Sequence, residues 1–131
     1  CVTWTGPIDH SAMAVFLAQF DAFVHPSQRT ADGDHEAVSV VLLEAQAVGL
    51  PVLATRHYDI PDQVQHGRTG YLVPEGDVHA LADAMRTYYY MEDKPYRGLR
   101  QNAHLFVNRT FDVRTSAQNL RTLYSKISRG T

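Results

Sequence analysis

The chain has 131 residues, 44% of them hydrophobic and 20% charged, with a formal net charge of −2. That length buries one core and predicts a single domain spanning residues 1–131. No apolar run approaches the ~18 residues of a membrane span, and the acidic balance excludes strong global attraction to nucleic acid.

Polar residues interrupt Cys1 to Asp9, so that stretch does not read as a signal peptide. The single cysteine, Cys1, cannot form an internal disulfide, which fits a reducing, cytoplasmic setting. Charge is nevertheless uneven. In the segment 94–131, eight basic residues (Lys94, Arg97, Arg100, Arg109, Arg114, Arg121, Lys126 and Arg129) stand against Asp112 alone. These basic C-terminal helices read first as a solvated polar face and next as a peripheral contact with an anionic inner membrane face; nucleic acid comes last, because no stacking aromatics are interleaved with the basic residues.

In chain order, Val2-Thr3-Trp4-Thr5 alternates like a short strand and stops at Gly6-Pro7. Asp9 can cap a helix running to about Phe20, with Met13, Phe16, Leu17 and Phe20 on its apolar face. Ala22-Phe23-Val24 reads as a short buried strand closed by Pro26. A polar loop, Ser27 to His35, leads to EAVSVVLLEAQAVGLPV. There Glu36 and Glu44 are separated by seven apolar or small residues, and Gly49 ends the helix. A helix apolar on nearly every side is a buried helix. A carboxylate within it is costly unless donors satisfy it, so Glu44 is the first functional suspect.

Val52 to Ala54 forms a third strand, and Gly67-Arg68-Thr69-Gly70 turns into a fourth at Tyr71-Leu72-Val73. Asp77 caps a helix with Ala80, Leu81, Ala84, Met85 and Tyr88 on one face. Pro95 opens the next, burying Tyr96, Leu99, Ala103 and Phe106. The last runs from about Asp112 and buries Val113, Ala117, Leu120, Tyr124 and Ile127. Short strands alternating with helices predict an α/β fold, a parallel β-sheet sandwiched by helices. Ligands of such sheets bind at the carboxyl ends of the strands, where Glu36 falls.

Other motifs carry less. Asp32-Gly33-Asp34 has the turn character of an Asp-Gly loop, and no metal site is expected. The seven histidines show no ligand spacing; His25, ending a buried strand, is the one placed to meet a ligand. Asn108-Arg109-Thr110 reads as a helix end rather than a glycosylation site.

The order Pro26-Ser27, Glu36, Glu44-Ala45, Gly49-Leu50-Pro51-Val52, Gly67-x-x-Gly70 and Asp77-x-x-Ala80-Leu81-Ala82 resembles one known family. It is similar to the C-terminal, nucleotide-sugar-binding half of retaining glycosyltransferases of family 4 (glycosyl transferases group 1), with the GT-B fold. The resemblance runs along nearly the whole chain. It implies a Rossmann-like domain missing its first two strands, which would lie between Val2–Thr5 and Ala22–Val24. It also implies an enzyme that transfers a sugar from a nucleotide diphosphate donor to a glycan or lipid-linked acceptor, with no cofactor and no metal.

By the resemblance, Glu36 holds hydroxyls of the transferred sugar as the catalytic-site carboxylate, and Glu44 holds the ribose diol. The N–H groups of Val38, Ser39 and Val40 face the diphosphate, where a helix N-terminus favours negative charge. Gly6 and Ile8 lie against the base. The chain departs from the family's pattern in carrying Ala37 after the first glutamate and Tyr58-Asp59 where glycines are usual. The family's cationic pair for the leaving diphosphate has no match; Arg56 and Arg68 are the nearest cations in sequence. These residues alone are therefore expected to be inactive and to self-associate through unpaired sheet edges. The rival reading is a non-catalytic nucleotide-sugar-binding or assembly module.

Overall fold

The structure, a computed structural model, describes residues 2–29 and 39–128. Three strands, β1 (Phe23–His25), β2 (Val52–Thr55) and β3 (Gly70–Val73), form one parallel sheet in the order β1-β2-β3. Val24 pairs with Leu53, and Leu53 with Tyr71. Six helices accompany them among the described residues: α1 (His10–Leu17), α2 (Val40–Ala47), α3 (Ile60–Gln63), α4 (Val78–Tyr89), α5 (Asp93–Thr110) and α6 (Val113–Ser128).

β2 is buried at all four positions, and its alternation divides the core in two. Val52 and Ala54 pack with Leu17, Leu42, Ala45, Ile60 and Leu72. Leu53 packs on the other side with Val73, Ala84, Leu81 and Tyr88. A strand buried on both faces reads as continuous apolar sequence, and Val52-Leu53-Ala54 does.

Local chemistry sets the helix ends. Asp9 accepts from Ser11 N–H at 2.9 Å, and Asp77 from Ala80 N–H at 2.8 Å, so both expected caps form. Gly49 ends α2 with φ 74°, the left-handed conformation glycine adopts most readily. Helix α5 then covers the orphan carbonyls of that end: Arg100 Nε donates to Gly49 O at 3.0 Å, and His104 Nδ1 to Ala47 O at 2.6 Å.

Several expectations are corrected. Val2–Thr5 forms no strand, and Val2 and Trp4 are over 90% exposed. A strand exists only by pairing, and among the described residues nothing pairs with this segment. β1 is an edge of the described sheet, so Val24 is partly exposed rather than buried. Met85 points out of α4, Phe20 lies beyond α1, and Val107 joins Leu99 and Ala103 in the buried face of α5.

The largest difference is α6. Val113, Leu120 and Tyr124 are all exposed, and Ala117 with them. The apolar spacing on this helix is real, but no described element covers that face. The side chain of Ile127 lies outside the described residues.

Candidate functional site

The three strands run parallel, so their following loops meet at one end of the sheet. Thr55 Oγ1 donates to Ser27 O at 2.6 Å, and Arg56 N–H to Val73 O at 2.8 Å. Glu75, after β3, accepts from Arg29 N–H, after β1, at 3.1 Å. The other oxygen of Glu75 meets Nδ1 of His57, after β2, at 2.8 Å. These bonds tie all three loops together.

The His57 ring is 1% exposed while Glu75 is about one third exposed. The His57 bond, then the bond from Arg29 N–H, holds the Glu75 carboxyl below its ordinary range. An ionised carboxylate only accepts, so Nδ1 of His57 carries the proton. Beside them Tyr58 takes φ 39°, unusual for a bulky residue and costing on the order of 1–3 kcal/mol. Its hydroxyl meets Arg29 Nη2 at 2.6 Å and Nε at 3.2 Å, with the guanidinium carbon 5.5 Å from the ring centroid. Arg29, Tyr58 and Glu75 line an open cavity of about 300 Å³.

The left-handed backbone at position 58 explains why glycine suits that place in the family's pattern.

The second group of residues surrounds α2. Glu44 is 26% exposed, and its Oε1 lies 3.3 Å from Nδ1 of His10, the first residue of α1. That contact brings the loop with half-buried Gly6 and Ile8 up to the glutamate helix. The partner of Glu44 is thus distant in the chain, and the carboxylate itself is half-buried rather than enclosed.

Ser39 is 1% exposed. With its amide turned to satisfy both groups, Gln63 donates to Ser39 O at 3.0 Å and accepts from Ser39 N–H at 3.2 Å. Gln46, fully buried, donates to Gln63 O at 2.8 Å. Ser39 Oγ also lies 3.3 Å from His25 Nε2. The Ser39 amide thus has a partner within the chain, Gln63. Val40 is 59% exposed at the start of α2. Glu36 and Val38 lie outside the described residues, as do Asp32 and Asp34. No group of three metal-ligating side chains occurs among the described residues.

Sequence reasoning missed Arg29, His57, Glu75, Gln46 and Gln63, and assigned no role to Tyr58. The available signal was positional: Arg29, His57, Tyr58 and Glu75 each follow a short apolar strand within a few residues.

Residues 1–90 match the family described as Glycosyl transferases group 1. The chain is 44% identical over 82 residues to the amylovoran biosynthesis glycosyltransferase AmsK of Erwinia amylovora, covering 63% of this chain and 20% of that one. Among solved structures, sucrose-phosphate synthase from Thermosynechococcus elongatus superposes with a TM-score of 0.78 at 28% identity, over 98% of this chain and 31% of that one. Anabaena HepE in complex with UDP-glucose superposes with a TM-score of 0.69 at 27% identity, over 84% and 29%. The chain spans between a fifth and a third of the length of these relatives. With a parallel sheet whose carboxyl-end loops converge and a glutamate helix beside them, this chain belongs to the glycosyl transferases group 1 family.

Proposed function

We propose that this domain binds the nucleotide diphosphate-sugar donor of a retaining glycosyltransferase whose acceptor is a glycan or a lipid-linked saccharide. The observation that carries the reading is Glu44. It is a partly exposed carboxylate on a helix that is apolar apart from Gln46, met by His10 at the start of α1. A carboxylate accepts from both hydroxyls of a ribose diol, and His10 is the group the diol would displace or share. Val40, with Val38, offers N–H groups to the diphosphate at a helix N-terminus. Glu36 receives the transferred sugar, while Gly6 and Ile8 lie beside the base. That HepE is solved with UDP-glucose supports a nucleotide-sugar ligand.

The basic segment 94–131 adds a peripheral membrane contact on the cytoplasmic side. No described helix is long and apolar enough to cross a membrane.

The test is a panel of nucleotide-sugars on the full-length protein, by thermal shift and then by product stereochemistry at the anomeric carbon. Stabilisation by one donor with retained configuration supports the reading. No donor binding, or inversion, removes it in favour of an assembly module or a different transferase.

A further inference from the structure

We propose that Arg29, Tyr58 and Glu75 form a subsite for a neutral saccharide ring, separate from the contacts assigned to the nucleotide. The inference rests on the glycosyltransferase reading for the class of ligand, and on the geometry of the cleft for its place.

The cleft of about 300 Å³ is at the small end for ligand pockets, a size suited to a single ring. Among the described residues, three chemistries line it. Tyr58, 42% exposed, offers aromatic surface to the C–H face of a sugar. Glu75 has one oxygen on His57 and one on Arg29 N–H, and each retains a lone pair for a hydroxyl. Arg29 adds a planar donor, held by Tyr58 through two contacts. Among the described residues the Glu75 carboxylate acts on the Arg29 guanidinium through space, so cation and anion share the cleft, which favours a polyol over a phosphate or an acidic sugar.

The cleft is also preorganised. The buried His57 ring fixes Glu75 from below and packs edge-to-face on Tyr58, with ring centroids 4.6 Å apart. Tyr58 holds a backbone conformation that glycine would adopt without strain. Strain of this kind persists where the surrounding structure enforces it, and it clusters at ligand clamps. None of the three residues belongs to the Gly6–His10 or Ser39–Glu44 set.

The test uses the full-length protein with Tyr58→Gly, which fits the left-handed backbone and removes the ring, and Glu75→Gln, which keeps the shape and removes the charge. Saturation-transfer NMR is recorded with glucose, galactose, mannose and N-acetylglucosamine, and affinity for UDP and GDP is measured alongside. At least one monosaccharide is expected to bind the wild type and to weaken about tenfold or more in both variants. Affinity for the bare nucleotide should stay within about twofold. Competition with UDP-glucose and GDP-mannose assigns the source: displacement makes the ring the donor's sugar, and persistence makes it the acceptor's. The absence of any monosaccharide signal on the wild type overturns the proposal. So does a signal unchanged in both variants. Failure of every nucleotide and nucleotide-sugar to bind, with the monosaccharide result intact, removes the transferase reading and leaves the cleft standing.

Discussion

Glu44 Oε1 and His10 Nδ1 stand 3.3 Å apart, joining the second turn of α2 to the first residue of α1 across 34 positions of sequence. The histidine is 86% exposed, so the pair is screened and contributes little to folding. The carboxylate is thus held in place without being used up. Glu44→Gln keeps the volume and weakens hydrogen bonds to a diol. In the full-length protein it is expected to cost about 1.5–3 kcal/mol, or roughly 10- to 150-fold in donor affinity, with little change in Tm. Calorimetric titration with the donor checks it; equal affinity at equal stability would return Glu44 to a structural role.

Gln63→Leu addresses the start of the same helix. Gln63 satisfies both backbone groups of Ser39 in a region shut off from solvent. Leucine fills similar space and leaves the Ser39 N–H unpaired, while Ser39 O keeps the bond from Leu42 N–H at 3.2 Å, so the expected loss is about 1–3 kcal/mol. A urea midpoint unchanged from wild type would show that Ser39 finds other partners.

Two glycines should respond in opposite directions. A Cβ on Gly70 would overlap Val52 O and lie 2.8 Å from Val52 Cγ2 and 3.0 Å from Val64 Cγ1. Gly70→Ala must therefore push β3 off β2, the central strand, and is expected to destabilise by about 3 kcal/mol. Gly98, inside α5, has nothing within 4 Å of such a Cβ. Gly98→Ala should stabilise by about 0.5–1 kcal/mol. Thermal melts of the pair, run side by side, would expose any error in the packing of β2 on β3.

Acid sensitivity follows from Glu75. Its carboxyl titrates below the ordinary glutamate value of 4.5, because His57 and Arg29 N–H favour the charged form. The unfolded chain therefore binds the proton more tightly than the folded one. The stabilisation is fully present above pH 4.5 and is lost as pH falls through the lower, folded value. Glu75→Gln should remove that component, so that stability falls less steeply below pH 4.5 than in the wild type. Parallel slopes for the two proteins in acid unfolding would contradict it.

Much of the secondary structure was legible because its signals are local. Asp9, Asp77, Gly49 and the Gly67–Gly70 turn each act within a few residues, and each forms as read. Partners are not local. Among the described residues, Val2–Thr5 alternates like a strand and has nothing to pair with, and α6 has an apolar face and nothing to cover it. The same limit applies to the site. Glu44 stands out as a charge in an apolar run. Arg29 and Glu75 stand 46 residues apart, and only the sheet topology makes them neighbours.

The order of the strands has a consequence for how the chain opens. Among the described strands β2 alone is hydrogen-bonded on both sides, and its four residues are buried. Those of its amides that bond to β3 meet deuterium only when the β2–β3 pairing opens, so they report the global unfolding free energy. β1, an edge three residues long, can peel from it without disturbing β3. Helix α6 can fray with almost no buried surface at stake. Protection should then descend from β2 through β3 and α4 to α6. The loops that carry Arg29 and Glu75 leave the sheet on either side of its most slowly exchanging strand.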